Sequence, residues 1–322
     1  LPHLRQSKNK GLLRLASLLG IDLAQAEVDD ISFYLAPCIN AAGRLDSAIL
    51  SLHFFIHDDK AEEIADKLFA LNKQRQNLTE EYVLEAEEIL KVEGLKNSLI
   101  MVGSDRWHPG IIGLIAGRLA TKYARPAIAM AKNEGLVTGS ARSLPRYDIT
   151  AALTRHAGLL TKFGGHALAA GFALPAERVV ELVARLEEDS AIYLADYHFL
   201  PEILIESEVD GEEVSFELLD FIDNLAPFGH GNPEPIFWAR ELSLVDVRPV
   251  GRDGKHLKLQ FAKGQRSWSA IAFNWACYQN ALLPKENYDA VFTLDRDNFT
   301  GTPKIILKII DIRPAQSLQS MF

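Results

Sequence analysis

The chain has 322 residues, 48% hydrophobic and 24% charged, enough apolar material for two or three separate cores. No apolar run approaches the ~20 residues of a membrane span, and the opening residues do not read as a signal peptide. Cys38 and Cys277 are too few and too far apart for a disulfide framework or a zinc site, which points to a reducing, cytoplasmic setting, and a net charge of −9 excludes a uniformly basic polyanion binder.

A first residue other than Met is expected of a processed or shortened chain. Residues 1–57 carry five basic and five acidic side chains and read as short helices over Lys10 to Leu19 and Asp30 to Ala36, the second broken by Pro37. Asp58-Asp59 offers an N-cap, with Glu62 and Glu63 in the first turn, to a pattern of Ile64, Leu68, Leu71, Leu78, Tyr82 and Ile89 that runs to Gly94. A helix of about thirty residues spans roughly 45 Å, and one so long and so charged bridges domains.

From Asn97 strand and helix alternate. Strands are predicted over 98–102, 126–131, 136–141 and 170–174, and helices over 109–123, 148–156 and 176–194, giving a small α/β domain over 95–198. Beyond Pro201 the pattern is β: strands over 203–209, 242–250, 256–262, 267–273, 289–294 and 304–312, turns at 251–254, 263–264 and 298–301, and one helix over 213–225. Short strands in that number favour a small closed barrel of the oligonucleotide-binding (OB) type over 199–322. The fold class is therefore α/β plus all-β, with segments 1–57, 58–94, 95–198 and 199–322.

Charge is uneven along this plan. Residues 58–93 carry five basic and eleven acidic side chains and 176–225 carry two and fifteen, but 94–175 carry ten basic and three acidic, and 226–322 twelve and nine. The basic α/β segment fits a polyanion site on one face, although basic patches also occur that bind nothing.

That segment contains Phe163-Gly164-Gly165-His166-Ala167-Leu168-Ala169-Ala170-Gly171. Adjacent glycines and an imidazole read as a turn whose N–H groups hold a phosphate; a plain structural turn with a solvated His fits the spacing too. Val137-Thr138-Gly139-Ser140-Ala141-Arg142-Ser143 ends a strand on which Ser140 and Arg142 share a face, a fork suited to phosphate or simply a surface strand. Trp107-His108-Pro109-Gly110-Ile111-Ile112-Gly113 lies at a strand-to-helix junction, as site or as structural turn. Asn40-Ala41-Ala42-Gly43-Arg44-Leu45-Asp46 offers an amide and a guanidinium, or else a helix contact with Arg44 paired to Asp46.

In the β segment, Trp238, Phe261, Trp268, Phe273 and Trp275 accompany Lys255, Lys258 and Arg266. Rings interleaved with cations bind single strands, while barrel rings also form cores. There is no phosphate-loop signature, no nucleophile elbow and no H-E-x-x-H, and nothing resembles the carboxylate and histidine set of a two-metal phosphoesterase.

Taken in order, I-N-A-A-G-R-L-D (39–46), the long helix, W-H-P-G-I-I-G (107–113), G-S-A-R-S (139–143), F-G-G-H-A-L-A-A-G (163–171), F-G-H-G-N-P-E-P (228–235), G-K-H-L-K (254–258) and I-A-F-N (271–274) resemble the RecJ exonucleases of the DHH phosphoesterase superfamily. The resemblance implies a DHHA1 domain over 95–198 and an OB-fold over 199–322, with 1–57 the helical end of a DHH domain whose catalytic part, with its Mn²⁺ or Mg²⁺ ligands, is missing. It implies a C-terminal piece of a 5′→3′ single-strand DNA exonuclease of repair and recombination, with no catalytic or metal-binding residue of its own and no activity alone. Phosphate-binding roles then fall to Gly164, Gly165, His166, Ser140, Arg142 and Ser143, while Arg44, Asn40, His108 and Gly110 line the cleft to the missing domain. Trp268, Phe261, Lys255, Lys258 and Arg266 become strand-binding residues of the barrel. Ala141 replaces a glycine common in the family, and Cys38 a basic residue. Implied partners are single-stranded DNA, the DHH domain, single-strand-binding protein and a helicase, with no membrane. Two other readings remain: a non-catalytic strand-binding or docking module, and a phosphodiesterase for short oligonucleotides.

Overall fold

Helix α5, Ala61–Glu93, runs 33 residues between a bundle of short helices and a mixed sheet and sets the plan of the N-terminal half. The computed structural model describes residues 1–322 except Lys96, Pro201, Glu212, Arg252, 298–302 and 316–322, so Arg252 and the predicted turn over 298–301 lie outside the described residues. The chain forms two units, Leu1–Pro201 and Glu202–Phe322.

The bundle comprises α1 (Pro2–Arg5), α2 (Lys10–Leu19), α3 (Ala36–Leu45) and α4 (Ala48–Ile56), packed on α5 around Leu15, Leu35, Cys38, Phe54 and Leu68. Pro37 does not break a helix. It sits in the first turn of α3, where its missing N–H would have had no partner, after a π-helical turn over Asp30–Leu35. Asp58 and Asp59 do not cap α5 either: the N-cap is Lys60, and only Glu62 and Glu63 place acid in the first turn. Helix α4 escapes the sequence reading because Ala-Ile-Leu-Ser-Leu-His-Phe-Phe-Ile is almost wholly apolar and has no stripe.

The α/β part holds β1 (Ile100–Ser104), α6 (Ile112–Tyr123), β2 (Ala127–Asn133), β3 (Leu136–Arg142), α7 (Ile149–Arg155), β4 (Lys162–His166), β5 (Ala169–Pro175) and α8 (Val179–Tyr193). Strand order is β1-β2-β3-β5-β4, parallel between β1 and β2 and antiparallel elsewhere. Helices α5 and α6 cover one face through Tyr82, Leu90, Ile115 and Leu119, and α7 and α8 the other through Leu153, Leu182 and Leu186. The Gly-Gly-His run is not a turn before a helix. It is part of the edge strand β4, joined to β5 by Ala167-Leu168.

The second unit holds β6 (Ser207–Glu208), α9 (Phe216–Asp223), β7 (Phe237–Val250), β8 (His256–Lys263), β9 (Arg266–Ala272), β10 (Asn287–Asp297) and β11 (Lys304–Pro314). Strands run β10-β11-β9-β8-β7, and β10 pairs again with β7 to close a five-stranded barrel. The strand predicted over 203–209 is reduced to Ser207–Glu208. Alternation is strict on β8, where Leu257, Leu259 and Phe261 face the core. No helix among the described residues is long and apolar enough to cross a membrane.

Candidate phosphate-binding site

Strand register builds the site. Arg142 on β3 pairs with Ala169 on β5, which pairs with His166 on β4; one step along, Ser140, Gly171 and Gly164 form the next row. Directly paired residues share a face of the sheet, so Arg142 and His166 stand on one face two strand spacings apart, about 10 Å. Between them lie only Ala169, Gly171 and Gly164, a trough almost free of side chains.

The two adjacent glycines differ. A Cβ at Gly164 would meet nothing within 4 Å, whereas Gly165 has φ 153° and a Cβ there would strike the Ala169 carbonyl and lie 2.6 Å from Ala170 Cα. His166 and Ala169 close the two-residue hairpin as its hydrogen-bonded pair, so Gly165 turns its N–H outward to the open edge. Gly164→Ala is therefore expected to leave thermal unfolding unchanged or raise stability by about 0.4–1 kcal/mol, while filling the trough. Gly165→Ala should lower stability by about 1–3 kcal/mol. Circular-dichroism melts of both variants check the contrast.

The β3 wall lies against α6, which starts without a side-chain cap. A Cβ at Gly113 would stand 3.0 Å from Ser140 Oγ and 3.3 Å from Arg142 Nη2, so glycine lets the helix start approach the fork. Arg142 Nη1 donates to the Ala141 carbonyl (2.8 Å) and to Ser140 Oγ (3.3 Å), which leaves the Ser140 proton uncommitted. Ser143 plays another part. Its hydroxyl donates to the Tyr147 carbonyl at 2.5 Å and its N–H to Leu168 O at 2.9 Å, so it fastens the hairpin and has no proton left for a phosphate.

Arg44 arrives on α3. Its Nη1 donates to the Gly110 carbonyl at 3.3 Å, and a Cβ at Gly110 would strike the Arg44 backbone carbonyl, so this loop and α3 meet backbone to backbone. His108 Nδ1 accepts the Gly110 N–H at 3.0 Å and shapes the loop. Asp46 pairs with Lys67 at 2.7 Å and not with Arg44, which removes the salt-bridge alternative. Asn40 is exposed one turn before Arg44.

Two further arginines join the group, and sequence reasoning misses both: Arg75 on α5 and Arg118 on α6. Burial lowers the affinity of Arg75 for its proton, and Arg44 and then Arg118 act the same way. Burial and then Arg44 lower that of Arg142. Among the described residues none of the four is ion-paired to a carboxylate. The one legible signal is Asn72, a polar side chain in the apolar register of α5 beside Leu68.

Helix α7 holds the hairpin from below. Thr150 Oγ1 donates to the His166 carbonyl at 2.8 Å and Ile149 N to the Ala167 carbonyl at 3.0 Å. The His166 imidazole is itself exposed.

In the barrel unit, Phe261 (0% exposed) and Trp268 (6%) pair across β8 and β9 inside the core and offer no face to a nucleobase. Lys255 pairs with Asp253 at 3.3 Å, and Arg266 Nη1 reaches the Gly211 carbonyl at 3.5 Å. Lys258 does face outward, directly opposite Arg248 and beside Ile271, and Ile271 pairs with Lys308. Like charges facing each other across a strand pair are destabilising, and carboxylates offset part of that cost here: Lys308 pairs with Asp295 at 2.6 Å and Arg248 approaches Asp246 at 4.0 Å. The exposed ring near it is Phe273, edge-on to His256 at 5.2 Å and 50% exposed.

Among the described residues no three His, Cys, Asp or Glu side chains form a group that could hold a metal ion. The residues present therefore do not fit the divalent ions implied by the sequence resemblance, and no hydrolytic step is derived from them.

Residues 96–190 match the DHHA1 domain family and residues 205–311 the RecJ OB domain family. The single-stranded-DNA-specific exonuclease RecJ of Bacillus subtilis strain 168 is 31% identical over 314 residues, 96% of this chain and 40% of that protein. Its namesake from Haemophilus influenzae is 30% identical, covering 94% of this chain and 55% of that protein. The crystal structure of RecJ in complex with Mn²⁺ from Thermus thermophilus superimposes with a TM-score of 0.81 at 26% identity, over 98% of this chain and 46% of that one. The chain thus spans about half the length of such relatives. It carries a DHHA1 domain followed by a RecJ OB domain, and along nearly all its residues it is similar to single-stranded-DNA-specific exonucleases named RecJ.

Proposed function

We propose that this chain holds the phosphodiester backbone of single-stranded DNA, as the substrate-binding part of a RecJ-type 5′→3′ exonuclease. The observation that carries the reading is a group of four arginines that have no carboxylate partner among the described residues, one of which, Arg142, walls a trough floored by alanine and glycine. Arg142 and Arg44 neutralise phosphate charge, the Ser140 hydroxyl donates to phosphate oxygens in the trough, and the Gly165 N–H donates at the open edge beyond His166. His166 donates from the opposite wall. The outer row Arg248, Lys258 and Lys308, with Phe273, gives the barrel a second strand-binding surface, in place of Phe261 and Trp268. Exposed Ile49, Leu52, Phe55 and Ile56 on α4 support docking of a further domain that would bring the bond-breaking groups.

Titration of a fluorescein-labelled single-stranded 20-mer against salt tests the reading. The logarithm of affinity should fall with the logarithm of salt concentration with a slope near −0.7 per phosphate held, so about −2 to −3 for three or four phosphates. Absence of binding at low salt overturns it. Equal affinity for a dinucleotide would favour the short-oligonucleotide reading instead. Degradation of the 20-mer by the purified chain with Mn²⁺ would overturn the assignment of binding without cleavage.

A further inference from the structure

We infer that Asn72 is a positioning residue that fixes the Arg75 guanidinium for phosphate while leaving its charge uncompensated; the inference rests on the trough-and-arginine reading above. Asn72 lies on α5 at 6% exposure. Its Oδ1 accepts from Arg75 Nε at 3.0 Å and Nη2 at 2.9 Å, and its Nδ2 donates to Cys38 Sγ at 3.2 Å. Arginine has only donors, so the amide oxygen must face Arg75 and the amide nitrogen the thiol. Both ends of the amide are thereby committed. The guanidinium is held along its Nε–Nη2 edge, and among the described residues its Nη1 has no partner.

A structural anchor for a half-buried arginine is ordinarily a carboxylate, which binds the fork more strongly. The same unit contains that solution: Asp189 holds Arg155 at 2.6 and 2.7 Å. Position 72 instead carries the neutral isostere. Arg75 then keeps its full charge while facing Arg44 and Arg118, an arrangement unfavourable for the empty protein and favourable once an anion enters. A residue serving only the fold would remove that repulsion.

The test compares Asn72→Asp, Arg75→Ala, Arg75→Lys and Arg142→Ala with the parent chain, using the labelled 20-mer and thermal melts. Asn72→Asp preserves shape and acceptor but adds the compensating charge. It should melt at or above the parent temperature yet bind about tenfold more weakly, as Arg75→Ala does, a loss expected for one charge-assisted contact. Its salt slope should shrink by about 0.7. Parent-like affinity of a folded Asn72→Asp overturns the inference. Should Asn72→Asp fail to fold, Arg75→Lys decides: it keeps the charge and loses the fork, so weakened binding supports positioning and parent-like binding overturns it. If Arg75→Ala and Arg142→Ala both bind like the parent, the site reading itself falls. If they weaken binding and Asn72→Asp does not, only the role of Asn72 falls.

Discussion

Replacing Arg142 by alanine is expected to weaken binding of single-stranded DNA at low salt by about 10- to 100-fold, the range of a charge-assisted hydrogen bond of about 1.5–3 kcal/mol. The fold should hardly register the change. Arg142 bonds only to its own strand, to Ala141 O and Ser140 Oγ, and its charge is opposed by burial and by Arg44. Removing it relieves repulsion at the cost of some packing, so the melting temperature should stay within about 2 °C. A fluorescence-anisotropy titration paired with a thermal melt separates these quantities. Lost stability with unchanged binding would mark Arg142 as a structural residue.

Asp189→Ala is expected to do the reverse first: destabilise the fold by about 2–3 kcal/mol, because it leaves the partly exposed Arg155 and the buried Tyr147 hydroxyl without their acceptor. At 8% side-chain exposure, Asp189 accepts two hydrogen bonds from Arg155 and one, at 2.8 Å, from the Tyr147 hydroxyl. Burial pushes its carboxyl up, but the hydrogen bonds from Arg155 and Tyr147 outweigh it, and the net position lies below the usual carboxylate range. Burial, and then Asp189, raise the Tyr147 phenol.

A carboxyl lowered on folding contributes its stability above the ordinary carboxylate pKa and loses it as the pH falls through the lowered value. The parent protein should therefore lose stability more steeply below about pH 4 than Asp189→Ala does. Arg155 ends α7, the helix from which Thr150 holds the His166 carbonyl. Loosened α7 packing should also weaken DNA binding, although Asp189 lies outside the trough. Melts from pH 3 to pH 8 check the first effect; equal acid limbs for the two proteins would contradict it.

Much of the α/β part is readable in the sequence, because β1, β2, β3, α6 and α8 carry local patterns strong enough to stand alone. Strand β4 is not. Two glycines and a histidine signal a turn, and they become a strand only by pairing with β5, a fact that no local window contains. The connection Ala167-Leu168 holds none of the usual turn residues, so the hairpin has no punctuation.

The barrel misleads in a different way. Period-two alternation on β8 already places Lys258 on the face opposite Leu257, Leu259 and Phe261, and strict use of that parity sends Phe261 and its partner Trp268 inward. Weighing ring chemistry ahead of parity puts both on the wrong side. Ser140, Arg142 and His166 are legible as candidate site residues, and the structure brings all three to one face. Arg75 and Arg118 are not, since the first sits among the many charges of α5 and the second is a lone arginine on the mostly apolar α6, and only the tertiary packing of α5 and α6 with α3 and β3 shows that, among the described residues, neither has a carboxylate partner.

The outward N–H of Gly165, on the open edge of β4 beside the trough, offers the most direct test of whether the phosphate backbone runs over this hairpin. Amide hydrogen exchange, read residue by residue with and without a single-stranded oligonucleotide, should show fast exchange at Gly165 in the free chain and marked slowing in the complex, with α8 unchanged. Slowing confined to the barrel strands, with Gly165 exchanging as in the free chain, would contradict the passage of the phosphate backbone over this hairpin and its trough.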